Sequence, residues 1–227
     1  MRVLLGGVAA ALMIASASSA SAAFLSGTGG APTDAAVAGG TTIDFDAEPL
    51  SSFGSKTFGG VTLSGAGGSG QLHIDSLYGG NYNTSGHYLD NGGSGDTLQW
   101  VFDFTSPVTA FTFNFGATDV VWSLAVYNGA DLIEAVALSP VHGSNAGDYF
   151  GYSASSITRA TLTNTEALTT YHDAAFIDDF TYAGAGVAID EPVGGVPEPA
   201  TWALMLLGFG GLGAMLRRRG AAALQAA

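Results

Sequence analysis

The sequence predicts an all-β fold, an antiparallel two-sheet sandwich of jelly-roll type. Three observations predict it. Apolar residues alternate with a period of two in short runs between residues 41 and 183, the mark of half-buried strands. Turns rich in Gly, Ser and Asn separate those runs, and no amphipathic helical pattern interrupts them. The chain has 227 residues and no cysteine, so its domain must close on a buried core without disulfides.

The N-terminus opens with Met1-Arg2, an apolar run over residues 3–15, and then small residues. Ala20-Ser21-Ala22 fits an A-x-A cleavage signature, so residues 1–22 read as a secretory signal cut after Ala22. Its apolar run is too short to span a bilayer. Residues 23–40 are rich in Gly, Ala and Thr and read as a flexible leader.

The sandwich is expected over residues 41–183, with about ten strands. Residues 41–45, 61–64 and 71–75 read as early strands. Leu98, Trp100, Phe102 and Phe104 share one face of the next, and Phe111, Phe113 and Phe115 one face of the strand after it. Trp122, Leu124 and Val126 continue the pattern. Further strands are expected at residues 131–138, 149–152, 157–163 and 176–182. Ser106-Pro107 and Gly143-Ser144-Asn145 read as turns, and Asn128-Gly129 as a tight hairpin. Residues 184–195 read as a solvated linker.

Residues 196–219 form a tail of three parts. Pro197 and Pro199 hold Glu198 in an extended, helix-resistant segment. Residues 200–216 carry no charge and would make a helix of about 25 Å, the short end of a membrane span. Trp202 stands near one end, and Arg217-Arg218-Arg219 cap the other, which the positive-inside rule places in the cytoplasm with residues 220–227.

The charge is uneven. Between residues 23 and 196 there are eighteen acids and two bases, Lys56 and Arg159, and the whole chain carries −13. Such a surface repels nucleic acid and anionic lipid. It keeps an exported protein soluble and would attract cations. Without cysteine there is no thiolate metal site and no cysteine nucleophile.

Two groups of residues carry the candidate chemistry. If the first and last strands are neighbours, Asp44, Asp46 or Glu48 approaches Asp178 or Asp179, and converging hard oxygens would suit Ca²⁺. Tyr78, Asn81, Tyr82 and Tyr88 lie in one loop region and combine aromatic faces with amides, a composition that suits polysaccharide. Signals for catalysis are weak. The four histidines lack metal-ligand spacing, there is no G-x-S-x-G elbow, and adjacent Asp178 and Asp179 are expected to point to opposite faces. Tyr171-His172-Asp173 is the remaining cluster with acid–base groups.

Pro197-Glu198-Pro199, Trp202-Ala203, the glycine-bearing span and the arginine cluster, in that order, resemble the PEP-CTERM sorting signal. The Trp-Ala variant is also catalogued as the ice-binding protein C-terminal domain, a name taken from some passengers. The resemblance implies export by exopolysaccharide-producing bacteria and processing by a membrane-embedded exosortase, with Pro197, Glu198 and Pro199 as recognition residues of a substrate. Ile43-Asp44-Phe45-Asp46 and Ile177-Asp178-Asp179-Phe180 resemble the first and last strands of β-sandwich passengers on such tails. The expected function is a non-enzymatic surface or matrix protein that contacts exopolysaccharide. A secreted carbohydrate-active enzyme on the same scaffold is the alternative.

Overall fold

A computed structural model describes residues 21–92, 97–166 and 173–184. Most of the signal, the linker and the sorting tail lie outside those residues, as do Tyr171 and His172. The described residues form twelve strands, all paired antiparallel: β1 (Ala23–Gly27), β2 (Thr41–Ile43), β3 (Ser51–Phe53), β4 (Ser55–Phe58), β5 (Val61–Ala66), β6 (Leu72–Asp75), β7 (Tyr88–Asp90), β8 (Gln99–Gly116), β9 (Trp122–Asn128), β10 (Asp131–Leu138), β11 (Tyr149–Asn164) and β12 (Phe176–Gly184).

The sandwich is built on two long strands that turn a corner. The first half of β8 pairs with β5 and with the second half of β11, which continues to β9 and β10. The second half of β8 pairs with the first half of β11 and with β12, which continues to β7, β6 and β3. Register shifts in β11 between Ser153 and Ile157, where the β8 partner jumps from Ala110 to Val108 and then Asp103, mark the bend. Strands that change layer through such irregularities make the corners of a two-layer β-fold. Ser106-Pro107, expected as a turn between two strands, is therefore a corner inside β8. The break expected between residues 152 and 157 is the matching corner of β11. In both cases the chain bends and keeps its direction.

The two inner faces meet in an aromatic core. Phe102 stacks on Phe113 and on Phe180, with ring centroids 6.0 and 5.3 Å apart. Phe104 packs on Phe111, and Phe115 on Trp122. These are the alternating residues that the sequence marks as one face of each strand, and all are buried. Leu98 is half-buried and lies outside the core cluster. The β9–β10 hairpin pairs Asn128 with Asp131, so its turn is centred on Gly129-Ala130, one residue later than expected. Gly129 supplies the positive φ of 62°.

Residues 23–40, expected as a flexible leader, are ordered. β1 pairs with β11, and two short 3₁₀ turns follow at Ala31–Thr33 and Ala35–Val37. The physical reason lies on the outer face of β8. Thr112 and Asn114 alternate with the core phenylalanines, so both point away from the core, yet both are buried. Ala31 covers them: its N–H donates to Asn114 Oδ1 at 2.6 Å, and Thr112 Oγ1 donates to its carbonyl at 2.8 Å. Polar groups buried this way need partners, and the leader supplies them.

Candidate functional site

The site begins with one extra residue in β12. Asp178 pairs with Asn114, but Thr181 pairs with Thr112, so β12 spends three residues where β8 spends two. This is a β-bulge, and Asp179 takes a φ of 48° within it. The bulge lets Ile177 and Phe180 both enter the core across an odd spacing. Asp178 and Asp179 are the two residues between them, at the step where the alternation slips. The expectation that adjacent carboxylates diverge to opposite faces fails because the strand is not regular there.

The loop between β6 and β7 meets the Asp178 carboxylate, and β8 meets that of Asp179. Asp178 is fully buried, and its Oδ2 accepts from the Ser85 N–H at 2.7 Å and the Ser85 hydroxyl at 3.1 Å. Burial pushes its pKa up to about 7, against the lowering effect of the Ser85 bonds. Asp179 accepts from Asn114 Nδ2 at 2.9 Å. Its pKa is also raised, first by burial and then by Asp44 and Asp46.

Asn83 fixes the middle of the loop. Its Nδ2 donates to the Phe115 carbonyl at 2.8 Å and to Asp148 Oδ2 at 3.1 Å, and its Oδ1 accepts from the Gly147 N–H. Asp46 Oδ1 accepts from the His87 N–H at 2.7 Å, and the His87 ring bonds the Glu48 carbonyl. Glu48 pairs with Lys56 at 2.6 Å. Asp44 Oδ1 caps the Asp46 N–H.

The five acids expected to bind calcium thus serve separate contacts. β2 does pair with β12, and the Asp44 and Asp46 charges are felt by Asp179, as the strand order predicts. Among the described residues, however, no group of three or more His, Asp or Glu side chains could hold a metal ion.

Two openings flank the loop. A cleft of about 350 Å³ is lined by Asp179, Asn83, Ser85, Asn114 and Asn145, with the backbones of Gly30 and Gly147. Beside it, Tyr78, Tyr82, Phe176, Ala117 and His142 line an aromatic hollow of about 150 Å³. Tyr78 is 42% exposed and stacks on Phe176, and Tyr82 meets both edge-on. His142 is exposed, and its ring Nδ1 meets the Asp119 carboxylate. Asn81 is exposed, whereas Tyr88 is buried against Phe176 and receives the Tyr78 N–H. Tyr88 is therefore packing, not contact surface.

Backbone strain gathers here. The non-glycine residues with positive φ among the described residues are Phe45, Tyr82, Asn83, Ala117 and Asp179. Four of them line the cleft or the hollow, and Phe45 sits between Asp44 and Asp46. Strain of this kind, of order 1–3 kcal/mol per residue, persists only where surrounding contacts fix it, and it concentrates at binding sites.

Sequence reasoning missed the bulge and the anchoring roles of Asn83 and Asn145. Asn83 lies 32 residues from Phe115 and more than sixty from Asn145, Gly147 and Asp148, so no local pattern joins them. The bulge had a signal: apolar Ile177 and Phe180 stand at an odd spacing. Asp173, the described member of Tyr171-His172-Asp173, is a structural acceptor. It takes the Trp122 indole N–H at 2.8 Å and the Asp119 N–H at 2.7 Å.

Gly116 tests how the loop is seated. A Cβ there would collide with the Tyr82 carbonyl oxygen. Gly116→Ala is expected to lift the loop from β8 and to lower stability by about 1–3 kcal/mol, as overpacking does. Near-ultraviolet circular dichroism should change in the tyrosine region, with the far-ultraviolet spectrum retained. An unchanged tyrosine signal would contradict this seating.

Residues 195–219 match the family model of the PEP-CTERM protein-sorting motif. The chain carries a PEP-CTERM tail. The motif marks it as an exported protein sorted to the cell surface by an exosortase. It contains all eight residues singled out in the sequence: Pro197, Glu198, Pro199, Trp202, Ala203, Arg217, Arg218 and Arg219. Among the described residues no helix is long and apolar enough to cross a membrane, and the apolar span of the tail lies outside them.

No curated protein matches the PEP-CTERM-tailed chain closely enough to count as a relative. Among solved structures it is similar to a family 29 carbohydrate-binding module complexed with mannohexaose. That match has 12% identity and a TM-score of 0.34, over 63% of this chain and 90% of the module. Another structure of a family 29 module matches at 10% identity and a TM-score of 0.30, over 72% and 89%. The K1 cleaved adhesin domain of Lys-gingipain from Porphyromonas gingivalis W83 matches at 17% identity and a TM-score of 0.32, over 72% and 99%.

Proposed function

We propose that this chain is a non-enzymatic surface or matrix protein whose sandwich contacts extracellular polysaccharide at the groove beside residues 78–85. The observation that carries the reading is the pairing of a polar cleft with an aromatic hollow on one anchored loop. Sugar rings stack on aromatic faces, and their hydroxyls bond to carboxylates and amides. The loop is held from several sides, so the groove is formed before ligand arrives and little ordering entropy opposes binding.

The lining supports binding over hydrolysis. Asp179 is the titratable residue of the cleft wall, and a glycosidase of the usual kind needs two carboxylates across the scissile bond. Asp178 is committed to Ser85 behind the wall.

Affinity electrophoresis of the exported chain through gels containing neutral, amino and acidic polysaccharides tests the reading. At least one polymer should retard it, and Tyr78→Ala with Tyr82→Ala should remove most of that retardation. Contacts on an aromatic face are worth on the order of 1 kcal/mol each beyond buried area, by analogy with aromatic pairs. A chain that no polymer retards would defeat the proposal.

On the same reading the tail is a temporary anchor that is cut near Pro197-Glu198-Pro199. Mass spectrometry of the mature C-terminus should find a truncated chain in normal cells and an intact tail in cells lacking the exosortase. An intact tail in both would overturn it.

A further inference from the structure

We infer that the groove selects polysaccharides free of carboxylate, sulfate and phosphate groups, and that it discriminates against polyuronates through Asp179. The inference rests on the sugar-binding reading of the groove and names the class of sugar it takes.

The side-chain donors of Asn83, Asn114 and Ser85 in the cleft wall are spent within the fold, whereas Asn145 uses its Oδ1 to accept from the Asn83 N–H. Asn114 spends its Nδ2 on Asp179 and its Oδ1 on the Ala31 N–H. Asn83 spends its amide on Phe115, Asp148 and Gly147. Ser85 gives its hydroxyl to Asp178. Asp179 Oδ2 takes the Asn114 bond, and its other oxygen takes no bond from the described residues. A half-buried carboxylate oxygen facing a cleft asks for a donor, and a sugar hydroxyl is one.

Among the described residues no lysine or arginine lines the cleft or the hollow, and His142, at the edge of the hollow, meets the Asp119 carboxylate. The described residues hold one lysine and one arginine, Lys56 and Arg159. Lys56 pairs with Glu48 and lies over the Phe58 ring, and Arg159 pairs with Asp103 at 2.5 Å in the other layer. A uronate in the cleft would therefore face Asp179 with no lysine or arginine to neutralise it. The Asp44 and Asp46 charges are felt by that carboxylate and add the same sign. Like charges at about 4–6 Å in a partly desolvated cleft cost enough for about a tenfold loss of affinity.

Polygalacturonate and its carboxyl-reduced form make the test, because they differ at the charged group and share the linkage. A set of neutral hexose polymers is run alongside. The exported chain is measured at 0.15 M salt, where charges beyond about 8 Å are screened and the contrast reports the groove itself. The expected result is that the reduced polymer or a neutral hexose polymer binds at least about tenfold more tightly than polygalacturonate. Asp179→Asn should weaken neutral binding severalfold and narrow that gap. Polygalacturonate binding as tightly as the uncharged polymers, or more tightly, would overturn the selectivity and leave the groove a polysaccharide site. Binding to none of the polymers would overturn the groove reading and the selectivity together.

Discussion

Phe180→Ala is expected to cost about 3–5 kcal/mol, the usual loss for truncating a fully buried phenylalanine. Phe180 is the point at which the two layers meet. It stacks on Phe102 from the first half of β8, at 5.3 Å, and on Phe111 and Phe113 from the second half, at 6.0 and 6.4 Å. It has no exposed surface. Removing it leaves a cavity between rings carried by different layers, so neither layer can collapse into it without dragging its own strands. For a domain of this size each kcal/mol moves the melting temperature by about 2–4 °C, so a fall of roughly 6–20 °C is expected. Phe24, half-buried and stacked on Phe150 at the edge, provides the contrast. Phe24→Ala should cost much less. Thermal unfolding followed by circular dichroism measures both, and equal losses would mean that Phe180 is not the central contact.

That core was legible in the sequence because period-two alternation is a local signal. Phe111, Phe113 and Phe115 could be assigned to one face without knowing what they met. The layers themselves were less legible. A register break at Ser106-Pro107 looks the same in sequence whether the chain reverses or bends, and only pairing across to β11 distinguishes them. The leader was misread for a related reason. Thr112 and Asn114 look like solvent-facing partners of buried phenylalanines, and nothing local says that Ala31 covers them. The short strands β1, β3, β4 and β7 have too few residues to display a period.

The candidate site divides along the same line. Tyr78 and Tyr82 were visible as an aromatic loop. Asp44, Asp46, Asp178 and Asp179 were visible as acids that strand order would bring near one another. Their roles were not visible, because those depend on where the loop between β6 and β7 crosses β12. Asp46 and Asp178 hold that loop at His87 and Ser85, and Asp179 faces the cleft. Asp44 and Asp46 come near Asp179 across the β2–β12 pair, and each acid does different work.

Asp178 gives the second large effect, and its sign is opposite to that of most carboxylates in ion pairs. Its ordinary pKa of 3.8 is raised to about 7 in the folded chain, chiefly by burial. Between those values the folded state holds a proton that the unfolded state has lost. The stabilising contribution is therefore complete below about pH 4 and disappears as pH rises through 7. Between pH 5 and pH 8 the loss from this one group is on the order of 2–3 kcal/mol. Asp90 and Asp173, both buried and both raised by burial, act in the same direction. The sandwich should melt several degrees higher at pH 5 than at pH 8 at constant ionic strength. Asp178→Asn, which has no charge to bury, should flatten the profile. A melting temperature that rises from pH 5 to pH 8 would show that Asp178 is ionised in the fold. Its bonds to Ser85 would then outweigh its burial, and the groove would rest on a charged anchor instead of a neutral one.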